Sequence, residues 1–357
     1  MKTDTLASMT DQAMITWLET DDDTALAALY ARAYAVKCSN VGRKVYYRGI
    51  IEFSNICEKN CLYCGIRRDN RHVKRYTVED EDVIAAARWA WQQRYGSIVL
   101  QSGERQNAAF VTLVEKLLLR IREETGGELG VTLSLGEQSR ETFQRWREAG
   151  AKRYLLRIET SNPDLYRSLH PEDHRHEVRL QCLHDLRELD YQTGTGVMIG
   201  LPGQTARDLV NDIRFFERED IDMIGMGPFI PHSQTPLAGA SATFDRKRQL
   251  QRGLTMIALT RIALQDVNIA ATTALQALDP KGRELGLSAG ANIIMPNLTD
   301  TKYRDGYQLY DGKPCLDENA GMCRFCLEGR IASVGEQVGY GEQGDSPHYQ
   351  RRKTLST

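Results

Sequence analysis

Apolar positions along this chain follow two alternating rhythms. Short runs rich in Val, Ile, Leu and Tyr, at residues 46–54, 97–102, 130–135, 153–160, 193–199, 223–229, 269–275 and 292–297, predict β-strands. Between them, residues 79–94, 107–124, 175–189, 205–218 and 244–267 repeat apolar side chains every three to four positions, and Val111, Val114, Leu117, Leu118 and Ile121 trace one such helical face. Ahead of the first strand, residues 11–36 carry Met14, Leu18, Leu26, Leu29 and Tyr34 at helical spacings. They are interrupted by Asp21-Asp22-Asp23, which supplies a cap for a second helix.

Strands alternating with helices over short connections predict a parallel sheet with right-handed crossovers, and eight strands suffice for a complete (β/α)8 TIM barrel. An open doubly wound sheet is the alternative. On this reading the α/β chain comprises an N-terminal helical extension (1–44), a barrel (45–335) that includes a cysteine segment (315–326), and a tail (336–357) expected to pack loosely. A barrel gathers its chemistry at the C-terminal ends of its strands.

Composition refines the picture. With 41% hydrophobic residues, the 357-residue chain has enough apolar material for one large core. Its 46 basic and 48 acidic residues leave a net charge of −2, so no global field draws nucleic acid or an anionic membrane. Residues 1–23 lack the apolar centre of a secretory signal, and no run is long enough to span a bilayer. Six of the eight cysteines form two tight triplets, leaving Cys38 and Cys182 alone, which is not a secreted disulfide framework. A reducing, cytoplasmic setting is expected.

The first triplet, Cys57, Cys61 and Cys64, follows the first strand with the spacing CxxxCxxC. Three thiolates from one loop leave the fourth iron of a 4Fe–4S cluster open for chemistry. A structural zinc site completed by Cys38 or Cys182 is the bland alternative, although structural zinc favours two spaced pairs. Polar residues at the other strand ends include Gln101 and Ser102, then Thr132 and Ser134, then Arg157 and Glu159, each of the last two pairs on one face by period two. Arg157 and Glu159 could equally be a structural ion pair. Gly200 and Gly203 permit close backbone approach, and His232 in a proline-punctuated turn reads as a surface residue. The second triplet, Cys315, Cys323 and Cys326, fits a second iron–sulfur cluster or a zinc ion.

CxxxCxxC with Tyr63 before the last cysteine resembles the cluster loop of radical S-adenosylmethionine (SAM) enzymes. The segments at residues 57–67, 98–104, 153–160, 200–205, 227–232 and 271–274, with the Cx7CxxC triplet, together resemble the HydE family of FeFe-hydrogenase maturases over roughly residues 45–330. The resemblance implies a full barrel with the cluster, ligated by Cys57, Cys61 and Cys64, and SAM at one end. It also implies that Tyr63, Gln101, Ser102, Thr132, Ser134, Glu159, Arg179 and Met198 line SAM, while Arg157, Met223, Thr272, Thr273, Tyr303 and Tyr307 line a substrate cavity. The implied substrate is a small organometallic iron complex carrying cysteine, carbon monoxide and cyanide. It would come from the maturase HydG, be attacked at sulfur by a 5′-deoxyadenosyl radical, and pass on toward HydF. A reducing electron donor is required, and the second triplet is implied to be dispensable. Methylornithine synthase-like or biotin synthase-like chemistry is the alternative within the class; an iron–sulfur carrier or scaffold is the alternative outside it.

Overall fold

The computed structural model describes residues 9–355; residues 1–8 of the segment read as lacking a secretory signal, and the last two residues of the tail, lie outside it. Two helices, Asp11–Glu19 and Asp23–Asn40, form the N-terminal extension, and the Asp22 carboxylate accepts from the N–H groups of Thr24 and Ala25 at 2.8 and 3.2 Å. The acidic run therefore caps the second helix as expected.

Eleven strands follow: β1 Lys44–Ser54, β2 Ser97–Ser102, β3 Gly130–Ser134, β4 Ala151–Leu155, β5 Gln192–Thr195, β6 Met198–Ile199, β7 Met223–Ile224, β8 Gly227–Pro228, β9 Asn268–Ile269, β10 Ile293–Ile294 and β11 Gln337–Val338. Eight of them pair in parallel in the order β10-β1-β2-β3-β4-β5-β7-β9, with β11 added beside the start of β1 and β6 paired with β8 above. The expected complete barrel needs correction at its seam. β9 and β10 share no ladder and meet at a single bridge, Ala270 to Ile293, flanked by Asn292 N–H donating to Ile269 O and Ala271 N–H donating to Ile293 O. The helices pack outside the sheet, and the inner strands are buried on both faces, which explains their near-continuous apolar sequences.

The later strands are shorter than their apolar runs. Of the expected 153–160 only residues 153–155 lie in the ladder; beyond Leu155 the chain keeps isolated contacts to its neighbour, from Leu156 N–H to Gly194 O and by a bridge from Glu159, at φ +66°, to Val197. The run at 269–275 yields only Asn268–Ile269 before Thr272 starts the helix Thr273–Leu278. Strand ends thus become loops facing the mouth.

The tail is not loose. Residues 343–346 lie under the barrel floor, where buried Arg153 donates to Gln343 O at 2.9 Å and pairs with Asp345. Arg48 and Asn268 donate to Gly344 O at 3.3 and 2.8 Å, and Ser346 N–H donates to Gln192 Oε1 at 3.1 Å. The closing helix Pro347–Leu355 is pinned by Arg352 on both oxygens of Asp222, each at 2.8 Å. Its glycines supply left-handed turns and its charges have buried partners, so polarity here marks a plug. No helix among the described residues is long and apolar enough to cross a membrane.

Candidate active site at the barrel mouth

The cysteine loop leaves the end of β1 and is held by polar groups on every side. Arg75 donates to the carbonyls of Asn55, Ile66, Arg67 and Asn70 at 2.7, 2.8, 2.6 and 3.2 Å, fixing both limbs of the loop with one planar fork. Between Cys57 and Cys61, the Asn60 N–H donates to His174 Nε2 at 2.9 Å, and its side-chain amide donates to Asp69 at 2.7 Å. The loop also crosses Gly103 so closely that a Cβ there would stand 2.4 Å from Ile56 O and 2.8 Å from Cys57 Cβ. Only glycine fits.

Burial pushes the three thiols up, Cys61 to about 12 with Arg179 opposing, and the charge of Cys57 further disfavours ionisation of Cys61 and Cys64. Three soft donors on one rigid loop fit a cationic iron–sulfur core that would ionise them.

Behind the loop lies a buried charge network. Glu137, after β3, accepts from Lys59 at 2.7 Å and from Arg179 Nε at 2.9 Å; Glu104, after β2, lies 3.3 Å from Lys59. Burial and then the neighbouring Glu137 raise Glu104 to about 7. Burial acts the same way on Glu137, but Arg179 and Lys59 outweigh it and hold that carboxyl below its usual range. Glu159 Oε2 stands 3.0 Å from Arg157 Nη2, yet poor alignment leaves both atoms without a hydrogen bond, and Arg157 Nε is also unpartnered. The charge of Glu159 acts on Cys61, Cys64 and Tyr63. The two residues thus form the ion pair that the sequence offered as the alternative, with one further buried nitrogen, Arg157 Nε, left without a partner.

The structure brings together only part of the residues named from sequence. Cys57, Cys61, Cys64, Tyr63, Gln101, Arg157, Glu159, Arg179 and Tyr307 surround the mouth. Ser102 spends its hydroxyl on Gly103 O at 2.7 Å, and Ser134 ends β3 beside Gln101. Met198 packs with Leu165, Leu169, Leu201 and Phe229 against Tyr63. Thr132 and Met223 sit lower, on a cavity of about 30 Å³, where Met223 Sδ is 2.7 Å from Arg48 Nη1 and Thr132 Oγ1 is unpartnered. Thr272 turns its unpartnered hydroxyl toward Gly227. Thr273 instead accepts from Tyr310 at 2.9 Å in a side pocket, and Tyr303 stacks on Tyr76, centroids 4.9 Å apart, in an outer cleft of about 740 Å³. His232, expected at the surface, is buried, its ring against Gly65.

The second triplet is divided. Cys315 and Cys323 face a side pocket of about 50 Å³, whereas Cys326 is exposed on the same helix as Cys323, Ala320–Ser333. Among the described residues, no three Cys, His, Asp or Glu side chains converge to hold a single metal ion. Residues that sequence reasoning did not single out, Arg75, Asn60, Lys59 and His174, shape the loop. For Arg75, Asn60 and Lys59 the only signal was polarity close to the cysteines; His174, 114 positions after Asn60, carried none.

Residues 51–216 match the Radical SAM superfamily. The chain is 49% identical over 312 residues, 87% of each protein, to the [FeFe] hydrogenase maturase subunit HydE of Thermotoga maritima. It is 27% identical to 3-methylornithine synthase of Methanosarcina barkeri, covering 85% of this chain and 83% of that one. In structure it resembles methylornithine synthase with a TM-score of 0.81 at 23% identity, over 94% and 95% of the chains. It likewise resembles the maturase HydG of Carboxydothermus hydrogenoformans with a TM-score of 0.76 at 20% identity, over 91% and 75%.

Proposed function

The chain belongs to the HydE family of FeFe-hydrogenase maturases, radical SAM enzymes that use a 4Fe–4S cluster, and we propose that it cleaves SAM reductively and aims the 5′-deoxyadenosyl radical at the cysteine sulfur of a small iron–carbon monoxide–cyanide–cysteine complex. Cys57, Cys61 and Cys64 would hold the cluster. Tyr63, with its apolar backing from Met198 and Leu169, offers a face for the adenine, and Gln101, Glu159 and Arg179 offer polar contacts to the rest of SAM.

Arg157 carries the substrate side of the reading. Its unpartnered Nε, beside the Nη2 that pairs with Glu159, can meet the carboxylate of a cysteine ligand or a cyanide end-on, and Thr272 adds a free hydroxyl. Deeper in the barrel, Thr132 and Met223 would bound the cavity. Tyr303, in the outer cleft, would act at the entrance rather than beside the reacting sulfur. A HydG-type enzyme would deliver the substrate and a HydF-type scaffold would receive the product, with an external one-electron donor reducing the cluster. We also read residues 1–44 as an extension, 45–335 as the catalytic barrel and 336–357 as a C-terminal tail.

The supporting observation is the convergence of three thiols, Arg157, Glu159 and Arg179 at one strand-end face. Anaerobic reconstitution, reduction and electron paramagnetic resonance (EPR) with and without SAM test it, with 5′-deoxyadenosine assayed on the same sample. Wild type should show a SAM-perturbed reduced cluster and form the nucleoside, and Cys61→Ala should do neither. Nucleoside formation coupled to lysine rearrangement would favour the methylornithine alternative, and a cluster that never cleaves SAM would favour the scaffold.

A further inference from the structure

We propose that Asp212 is a positioning residue that latches Glu159 into the conformation in which its carboxylate meets SAM. This rests on the reading that Glu159 contacts SAM.

Glu159 lies beyond the end of β4 at φ +66°, in the left-handed region, where a residue with a Cβ persists only if its surroundings hold it. One side of the hold is backbone. Glu159 N–H donates to Gly196 O at 3.0 Å and Glu159 O accepts from Met198 N–H at 2.9 Å, so the residue is tied to the chain just beyond β5. The other side comes from a helix. Two residues on, Ser161 gives both its N–H and its hydroxyl to Asp212 Oδ1, each at 2.7 Å, and Asn162 Nδ2 donates to Asp208 Oδ1 at 2.8 Å. Asp208 and Asp212 stand one turn apart on the helix Ala206–Arg218 and grip successive residues of the turn.

Neither helix capping nor stability accounts for Asp212. The helix Pro163–Leu169 is capped by Asn162 Oδ1, which accepts from the N–H groups of Asp164 and Leu165 at 2.9 and 3.3 Å. Asp212 itself is fully buried, and its Oδ2 has no partner. Burial pushes its carboxyl up to about 7, against the two bonds from Ser161. A buried acid with an orphaned oxygen costs the fold more than an apolar side chain of similar size. What it secures is the turn that carries Glu159. Because Glu159 Oε2 stands 3.0 Å from Arg157 Nη2, a slip of that turn would draw the carboxylate away from both Arg157 and the SAM face.

The test uses the full chain, reconstituted anaerobically and reduced, and reads the SAM concentration that gives half-maximal 5′-deoxyadenosine formation. The EPR signal of the reduced cluster without SAM is the control for an intact, loaded fold. Glu159→Gln should raise the half-saturating SAM about 10- to 100-fold, the worth of a charged hydrogen bond. Asp212→Ala should raise it by up to as much, and Asp212→Asn, which keeps an acceptor oxygen for Ser161, should recover part of the loss. Ser161→Ala removes one of the two donors from a partly exposed position. It should give a smaller rise, about 3- to 10-fold, and it reads the same latch if Asp212→Ala does not fold. Because Asp212 acts through Glu159, adding Asp212→Ala to Glu159→Gln should change little further. If Glu159→Gln leaves SAM saturation unchanged, the reading of Glu159 fails and the proposal falls with it. If Glu159→Gln weakens SAM while Ser161→Ala and any folded Asp212→Ala saturate as wild type does, Glu159 stands and the latch is wrong. Losses that multiply in the double variant would likewise overturn it, by placing the effect of Asp212 outside Glu159.

Discussion

The backbone N–H of Asn60 donates to Nε2 of His174, so the middle of the cysteine loop hangs on an imidazole in the segment before helix His176–Glu188. An acceptor at Nε2 requires that nitrogen to be unprotonated. Burial, followed by the charge of Lys59, lowers the pKa of His174 and keeps it neutral. A histidine with a depressed folded value stabilises the fold above its ordinary value of about 6.5 and loses that contribution as pH falls. Denaturation midpoints of wild type should therefore drop as pH falls below about 6.5 more steeply than those of His174→Gln. Equal slopes would remove His174 from the account.

Glu137 ties Lys59 of the loop to Arg179 behind it, with all three side chains largely shielded from water. Removing it leaves two buried cations to the single carboxylate of Glu104, 3.3 Å from Lys59 and 4.0 Å from Arg179. Glu137→Ala should destabilise the chain by about 3–5 kcal/mol, measured by urea unfolding, and should lower iron retention at the first site. A change below about 1 kcal/mol would mean that water satisfies both cations.

Arg157 pairs with Glu159 through Nη2 at 3.0 Å and keeps its Nε unpartnered. Arg157→Ala should lower substrate conversion about 10- to 100-fold, the worth of a charged hydrogen bond, while SAM binding stays near wild type. The readout is product formed per 5′-deoxyadenosine. An unchanged ratio would place Arg157 outside the substrate site.

His348 lies between Asp266 and Asp220, at 3.2 and 2.6 Å, with Arg351 also on Asp266. Its hydrogen bond to Asp266, opposed by burial and reinforced by Asp220, raises its pKa. A raised folded value stabilises fully below about pH 6.5, and that stabilisation is lost as pH rises through the folded value. Hydrogen exchange in residues 347–355 should accelerate with pH beyond its intrinsic dependence in wild type, and this excess should vanish in His348→Asn.

Much of the fold was legible because periodicity reports burial. The strands β1 and β2 and the helices Ala108–Glu124 and Ala206–Arg218 lie where the apolar patterns put them. The strand ends from β4 onward were not, since an apolar run stays buried whether it continues a ladder or turns into a loop, as Ile158 does. The cysteine loop was plain from spacing alone. Arg75 and His174 were not, because a buried guanidinium held by carbonyls, or a neutral imidazole accepting from the backbone, has the same letter as a solvated side chain. The tail was misread for the related reason that its glycines and charges serve buried partners.

The floor also bears on synthesis. Residues 343–346 close a barrel whose first strand begins some three hundred positions earlier, at Lys44. A chain emerging from the ribosome therefore carries the cysteine loop long before Arg48 and Arg153 have their carbonyl partners, and until those residues arrive the underside of the barrel stays wet. Iron delivered during translation would meet a vessel without its base.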